Sequence, residues 1–255
     1  MCLILFAHES HPHYRLIIAA NRDEYYLRPS LQASYWEDYA NVLAGRDLEQ
    51  NGTWLGITKT GRYAAVTNYR NPSLAREDVK SRGQLVSSYL CGKSRPKAYL
   101  SGVDEAEDEY NGYNILVGDA ESLYYYSNIE REQKKISPGV YGLSNHLLNT
   151  PWPKVEKGKK ALAKYLQSRN VGVADSLFEI LSDNGVAADD ALPHTGVSIK
   201  LERMLSPIFI KGDTYGTRSS TVILADRKNH VQLIERSFFQ HHEGWAEAAY
   251  EFDIG

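Results

Sequence analysis

Four pairs of short, β-patterned segments, each pair separated by a turn, constrain the fold more than any other feature of the 255-residue sequence. Cys2 to His8 and Arg15 to Arg22 are joined by the turn-rich Glu9-Ser-His-Pro-His13. Trp54 to Thr58 and Tyr63 to Asn68 meet at Thr60-Gly61, and Asn114 to Gly118 precedes Ser122 to Tyr126. Ser220 to Ala225 and His230 to Arg236 are bent at Asp226-Arg-Lys-Asn229, and Val140 to Ser144 adds a further strand. Runs of this length and residue type bounded by turn residues read as hairpins. Between them, Val155, Leu162, Tyr165 and Leu166 recur at helical spacing behind Pro151 and Pro153, with Asn149 and Thr150 as cap candidates. Gly83 to Leu90 and Ala174 to Leu181 read as two more helices. Strand pairs enclosing a helical middle predict antiparallel sheets layered with helices, an α+β fold. No linker, repeat or low-complexity tract divides the chain, so residues 1–255 are expected to form a single domain.

Composition excludes several functions. Hydrophobic content of 42% and charged content of 24% describe a globular chain with a core of its own. A net charge of −3 without a basic run argues against nucleic acid as a partner. The opening apolar run stops at Ala7, too short for a leader or a membrane span. With only Cys2 and Cys91, disulfide stapling is not expected, and the expected location is cytoplasmic. Cys91 ends an amphipathic stretch and reads as a packed helix-end residue. Neither a phosphate-binding glycine loop nor paired-cysteine zinc spacing occurs, so no cofactor or metal is expected. His8, His11, His13 and the His241-His242 doublet read as loop histidines. Most of the 18 tyrosines read as strand packing.

Chemistry is suggested by Cys2. Initiator methionine is normally removed ahead of a small residue, which would place a thiol and an α-amine on one terminal residue. The amine titrates at about 8 and the thiol at about 8.5 in model peptides. Nucleophile and base are then linked covalently. The second strand of that hairpin ends in Asn21-Arg22-Asp23-Glu24, beside Cys2. Arg22 would favour thiolate, and Asp23 would hold the amine in line. Asn68 and Asn145, each closing a strand, are candidate oxyanion donors. Arg218 enters the last hairpin and could meet Asp23 or a substrate carboxylate.

These residues resemble the NRDE proteins, the transport and Golgi organization family. The resemblance rests on Asn21-Arg-Asp-Glu24, Leu43-Ala-Gly-Arg-Asp-Leu48, Asn51-Gly-Thr-Trp-Leu-Gly56, Thr67-Asn-Tyr-Arg70, Gly142-Leu-Ser-Asn145, Leu192-Pro-His-Thr-Gly196 and Tyr215-Gly-Thr-Arg218. It implies an N-terminal-nucleophile hydrolase-like fold, a four-layer α/β/β/α sandwich. It also implies roles that range over haem trafficking, acyl-CoA or lipid metabolism and secretory-pathway organisation. More distantly, the chain is similar to the choloylglycine hydrolases, which include penicillin V acylases and bile salt hydrolases. Through that similarity Cys2, Asp23, Asn145 and Arg218 carry over as catalytic residues, with Asn68 beside them. The arginine of that family falls on Ala20 here, leaving Arg22 as the nearby guanidinium. The expected activity is cysteine-dependent hydrolysis of an amide or thioester, with a small-molecule acyl substrate. The alternative is a non-catalytic carrier of haem or an acyl-CoA-like lipid, its pocket lined by tyrosines, Trp54, Trp152 and histidines.

Overall fold

A computed structural model describes residues 2–168, 173–239 and 244–255. Met1 and the His241-His242 doublet lie outside the described residues. The chain divides into two compact units, each built on one antiparallel sheet.

The first unit comprises residues 1–27, 137–144 and 148–252. Its strands are β1 (Cys2–His8), β2 (Tyr14–Tyr25), β10 (Gly139–Leu143), β11 (Tyr215–Asp226), β12 (His230–Phe238) and β13 (Trp245–Asp253). They lie in the order β10-β1-β2-β11-β12-β13. Side chains alternate between the two faces of a strand, and residues opposite one another on neighbouring strands share a face. Leu3, Leu5, Ala7, Ile17, Ala19, Val222 and Leu224 therefore form one apolar face. It packs against Val155 and Leu162 of α3 (Pro153–Leu166) and Leu177 and Leu181 of α4 (Ala174–Leu181). Each fully buried leucine of this kind contributes about 1.5–3 kcal/mol relative to exposure. A last helix, α5 (Ile199–Leu205), begins at Ser198, whose hydroxyl accepts the Leu201 amide.

The second unit comprises residues 28–136, 145–147 and 253–255. Its sheet runs in the order β3-β4-β5-β6-β7-β8-β9. These strands are Ser30–Tyr35, Val42–Asp47, Leu55–Thr58, Tyr63–Asn68, Tyr113–Gly118, Leu123–Ser127 and Glu132–Lys135. Helices α1 (Gly83–Cys91) and α2 (Pro96–Glu105) cover it through Val86, Tyr89, Leu100 and Val103. Tyr113, Tyr125 and Tyr126 are fully buried on their strands, as strand packing predicts, and Tyr89 is fully buried on α1. Cys91 ends α1 and packs, partly buried, against that core. The glycines of the Leu43–Leu48 and Asn51–Gly56 segments have structural reasons. A Cβ on Gly45 would lie 2.3 Å from the Trp54 ring, and one on Gly52 would lie 2.5 Å from the Gly83 backbone.

The structure corrects two details of the sequence reading. Helix α3 is capped at Trp152, not at Asn149 or Thr150, and without a side-chain cap bond. Asn149 instead turns its Oδ1 toward the Gly142 amide at 3.0 Å, pinning the loop after β10. Strand β11 starts at Tyr215, five residues earlier than the apolar run suggests, because ladder pairing with β2 continues through polar residues. Trp152 is buried in the core under α3. No helix among the described residues is long and apolar enough to cross a membrane.

The contact between α3 and β1 depends on a missing side chain. A Cβ on Gly158 would come within 2.7 Å of both Leu5 methyls. Gly158→Val is expected to destabilise the protein by about 1–3 kcal/mol through overpacking, read as a lower urea midpoint at an unchanged m-value. An unshifted midpoint would show that the helix does not seat on β1 in this way.

Candidate active site

The antiparallel ladder of the first unit brings four polar side chains into one lateral row. Cys2 on β1 pairs with Arg22 on β2, Arg22 with Ser219 on β11, and Ser219 with Ser237 on β12. The row occupies the face opposite Leu3, away from α3 and α4. Cys2 is half-buried, whereas Arg22 and Ser219 are buried. Burial is the main influence on the Cys2 thiol and pushes its pKa up. The Asp23 carboxylate adds to that rise, while the Arg22 guanidinium and a hydrogen bond from the Asp23 backbone amide oppose it. The thiol therefore carries its proton in the resting site, and attack requires a base.

Asp23 is fully buried, one residue beyond Arg22 on β2 and opposite Thr217 on β11. Its Oδ1 accepts the Thr217 hydroxyl at 2.7 Å, and Thr217 in turn accepts the Ile210 amide at 2.9 Å. Desolvation raises the Asp23 pKa, and the nearby Lys154 charge is the largest influence against it. Lys154 is a residue that sequence reasoning missed. Its position in the first turn of α3 suggests a solvated lysine, yet it is buried and donates to the Leu205 carbonyl at 3.0 Å.

Arg218 sits where the β2–β11 register shifts between Thr217 and Ser219. Its Nη1 donates to the Tyr25 and Tyr26 carbonyls at 2.8 and 2.9 Å, which ties down the end of β2. Burial lowers its pKa, and the Arg22 charge lowers it further, so two guanidiniums stand close enough to repel. Ser219, also unforeseen, is buried, and its hydroxyl has no hydrogen-bond partner among the described residues. Only the register shift, which the sequence does not signal, turns it toward Arg22. Asn21 faces the other way. Its amide donates to the Leu181 and Ile208 carbonyls, both at 2.9 Å, and anchors β2 to the end of α4 and the loop after α5.

Of the six sequence-predicted residues, Cys2, Arg22, Asp23 and Arg218 come together in the first unit. Asn68 and Asn145 come together in the second. Asn145 is fully buried and donates to the Asn68 carbonyl at 3.0 Å, while its own carbonyl accepts the Arg70 amide at 2.8 Å. Asn114, missed because it lies inside an apolar strand, holds this segment. It donates to the Thr67 hydroxyl and the His146 carbonyl and accepts the Tyr125 hydroxyl at 2.7 Å. In the histidine-rich turn, the His11 Nδ1 accepts the His13 and Tyr14 amides, a structural role.

Comparison with solved structures defines the class of fold. The chain is similar to the Caenorhabditis elegans ortholog of N-acylethanolamine-hydrolyzing acid amidase, with a TM-score of 0.52 and 10% identity. That match covers 88% of this chain and 92% of the other. It is similar to the mutant C2A conjugated bile acid hydrolase from Clostridium perfringens, with a TM-score of 0.51 and 9% identity, covering 100% of this chain and 92% of the other. The two antiparallel sheets and five α-helices among the described residues are those of the α+β, N-terminal-nucleophile hydrolase-like fold. The chain belongs to the Transport and Golgi organisation 2 family, whose model matches residues 1–240. It is 36% identical to the Mus musculus Transport and Golgi organization 2 homolog and 35% identical to the Homo sapiens homolog. Each alignment covers 100% of this chain and 99% of the relative.

The influence of the Lys154 charge on Asp23 has a pH signature. A buried carboxyl with a raised pKa binds its proton more tightly folded than unfolded, so its contribution to stability falls as pH rises from the unfolded value toward the folded one. Removing the lysine charge raises that folded value further. Lys154→Met is therefore expected to cost more stability at pH 7.5 than at pH 4, because acid favours the protonated Asp23 that its raised pKa already promotes, in urea titrations at both pH values. Equal losses at the two pH values would mean that Lys154 serves only the Leu205 carbonyl.

Proposed function

We propose that this protein is an N-terminal cysteine hydrolase that cleaves an amide or thioester of a small acyl substrate. One observation carries the reading. A thiol at the start of β1 stands beside Arg22 and receives the Asp23 amide, in a fold shared with an amidase and a bile acid hydrolase.

In this reading Met1 is removed and the Cys2 α-amine takes the thiol proton as Sγ attacks the carbonyl carbon. A thioester forms, and the bond to the leaving amine or thiol breaks as that group takes the proton. Water, deprotonated by the same amine, then attacks the thioester, releases the acid and restores the thiol. Asp23 holds the amine through its carboxylate. Arg22 stabilises the developing thiolate, a role supported by its opposition to the burial of the sulfur. The oxyanion donors that the resemblance implies, Asn145 and Asn68, both belong to the second unit. Arg218 positions the end of β2 through the Tyr25 and Tyr26 carbonyls. The free Ser219 hydroxyl is available to a polar atom of the substrate.

A second reading, transport of haem or an acyl-CoA-like lipid without turnover, is favoured by the word transport in the names of the relatives. One pair of measurements separates the two. Across a library of amides and thioesters, Cys2→Ala is expected to abolish turnover while leaving the circular dichroism spectrum and melting temperature unchanged. Undiminished turnover in that variant rules out the cysteine mechanism. Saturable haem binding that is indifferent to Cys2→Ala, with no hydrolysis by the parent protein, would favour the carrier.

A further inference from the structure

The sheet that carries the Cys2 row has a cavity on its opposite face. One residue along each strand from Cys2, Arg22, Ser219 and Ser237 lies the row Leu3, Asn21, Ser220 and Arg236, which faces α4. Ser220 and Arg236 line a cavity of about 580 Å³ there, within the size range of small-molecule sites. Its walls are aromatic: Phe178 from α4, Phe209, Phe238 from β12 and Trp245 from β13. Trp245 is 53% exposed. Large aromatic surface left open around a cavity marks a binding surface more often than ordinary exterior.

The charges of the lining suggest the ligand. Arg236 is already satisfied. It pairs with Asp175 and with Glu247, and its guanidinium plane lies 4.0 Å from the Phe178 ring centre and 4.9 Å from that of Trp245. It therefore serves as a neutralised, flat part of the wall and not as an anion receptor. Lys211 differs. Its ammonium lies over the Phe209 ring at 5.8 Å and has no carboxylate partner among the described residues. We propose that this cavity binds a small amphipathic acid, its apolar body among the aromatic walls and its anionic group at Lys211. The site is independent of the Cys2 chemistry, because it occupies the other face of the sheet. Glu179 belongs to the same lining and makes an amphipathic cation the competing ligand.

Both residues chosen for the test are exposed, so their replacement leaves the core intact. The full-length protein is titrated calorimetrically with 2-naphthoate, with uncharged 2-naphthalenemethanol and with 2-naphthylmethylammonium. One saturable site for 2-naphthoate is expected, weakened about ten-fold or more by Trp245→Ala and by Lys211→Glu. The alcohol should bind the parent protein and Lys211→Glu alike, because only the charge contact is lost. Absence of saturable naphthoate binding, indifference to either substitution, or tighter binding of the ammonium compound would each overturn the proposal. The same titrations in Cys2→Ala should be unchanged. Loss there would tie the cavity to the Cys2 face and contradict its independence.

Discussion

The candidate chemistry depends on the pairing register of three strands. Antiparallel pairing of β1 with β2, and of β2 with β11, sets the thiol of Cys2, the guanidinium of Arg22 and the hydroxyl of Ser219 side by side. A slip of one residue would turn each of them to the helix-bearing face, because side chains alternate with period two. The apolar face beneath α3 and α4 prevents that slip. After such a slip Leu3, Leu5, Ile17, Ala19, Val222 and Leu224 could no longer all be buried together. Packing on one side of the sheet thereby dictates the chemistry on the other.

Electrostatics in the first unit are arranged at some cost to stability. A carboxylate and a lysine are both buried near one strand end, and two arginines repel across a neighbouring position. Isolated buried charges are unfavourable, and paired ones roughly break even against apolar replacements. Such groups cluster where a site needs shifted ionisation more often than where a fold needs strength. The raised thiol fits that pattern. A cysteine that keeps its proton at rest is protected until a base acts on it.

Much of the frame was legible in the sequence. The hairpins were readable because each pairs short, β-prone and largely apolar runs between turn signals, and turn residues such as Gly61 and Asn229 do adopt positive φ. Cys2, Arg22 and Asp23 were legible as neighbours because a hairpin must bring its two ends together. The unread parts have physical reasons. Strand β9, Glu132–Lys135, is an exposed edge of four polar residues with no apolar alternation to betray it. Helix α5 is barely two turns long, and β13 alternates only partly buried residues with exposed ones. Lys154 and Ser219 owe their importance to burial and to a register shift, which depend on residues far away in the chain.

The account stands on Cys2 being the first residue of the working protein. Intact mass spectrometry of the natively expressed chain, before and after incubation with an activated acyl donor, addresses this directly. The account predicts the mass of a chain that begins at Cys2, and a single added acyl group that maps to that residue and is released by hydroxylamine. A chain that retains Met1, or a thiol at Cys2 that stays unmodified while Cys91 takes the label, would contradict it.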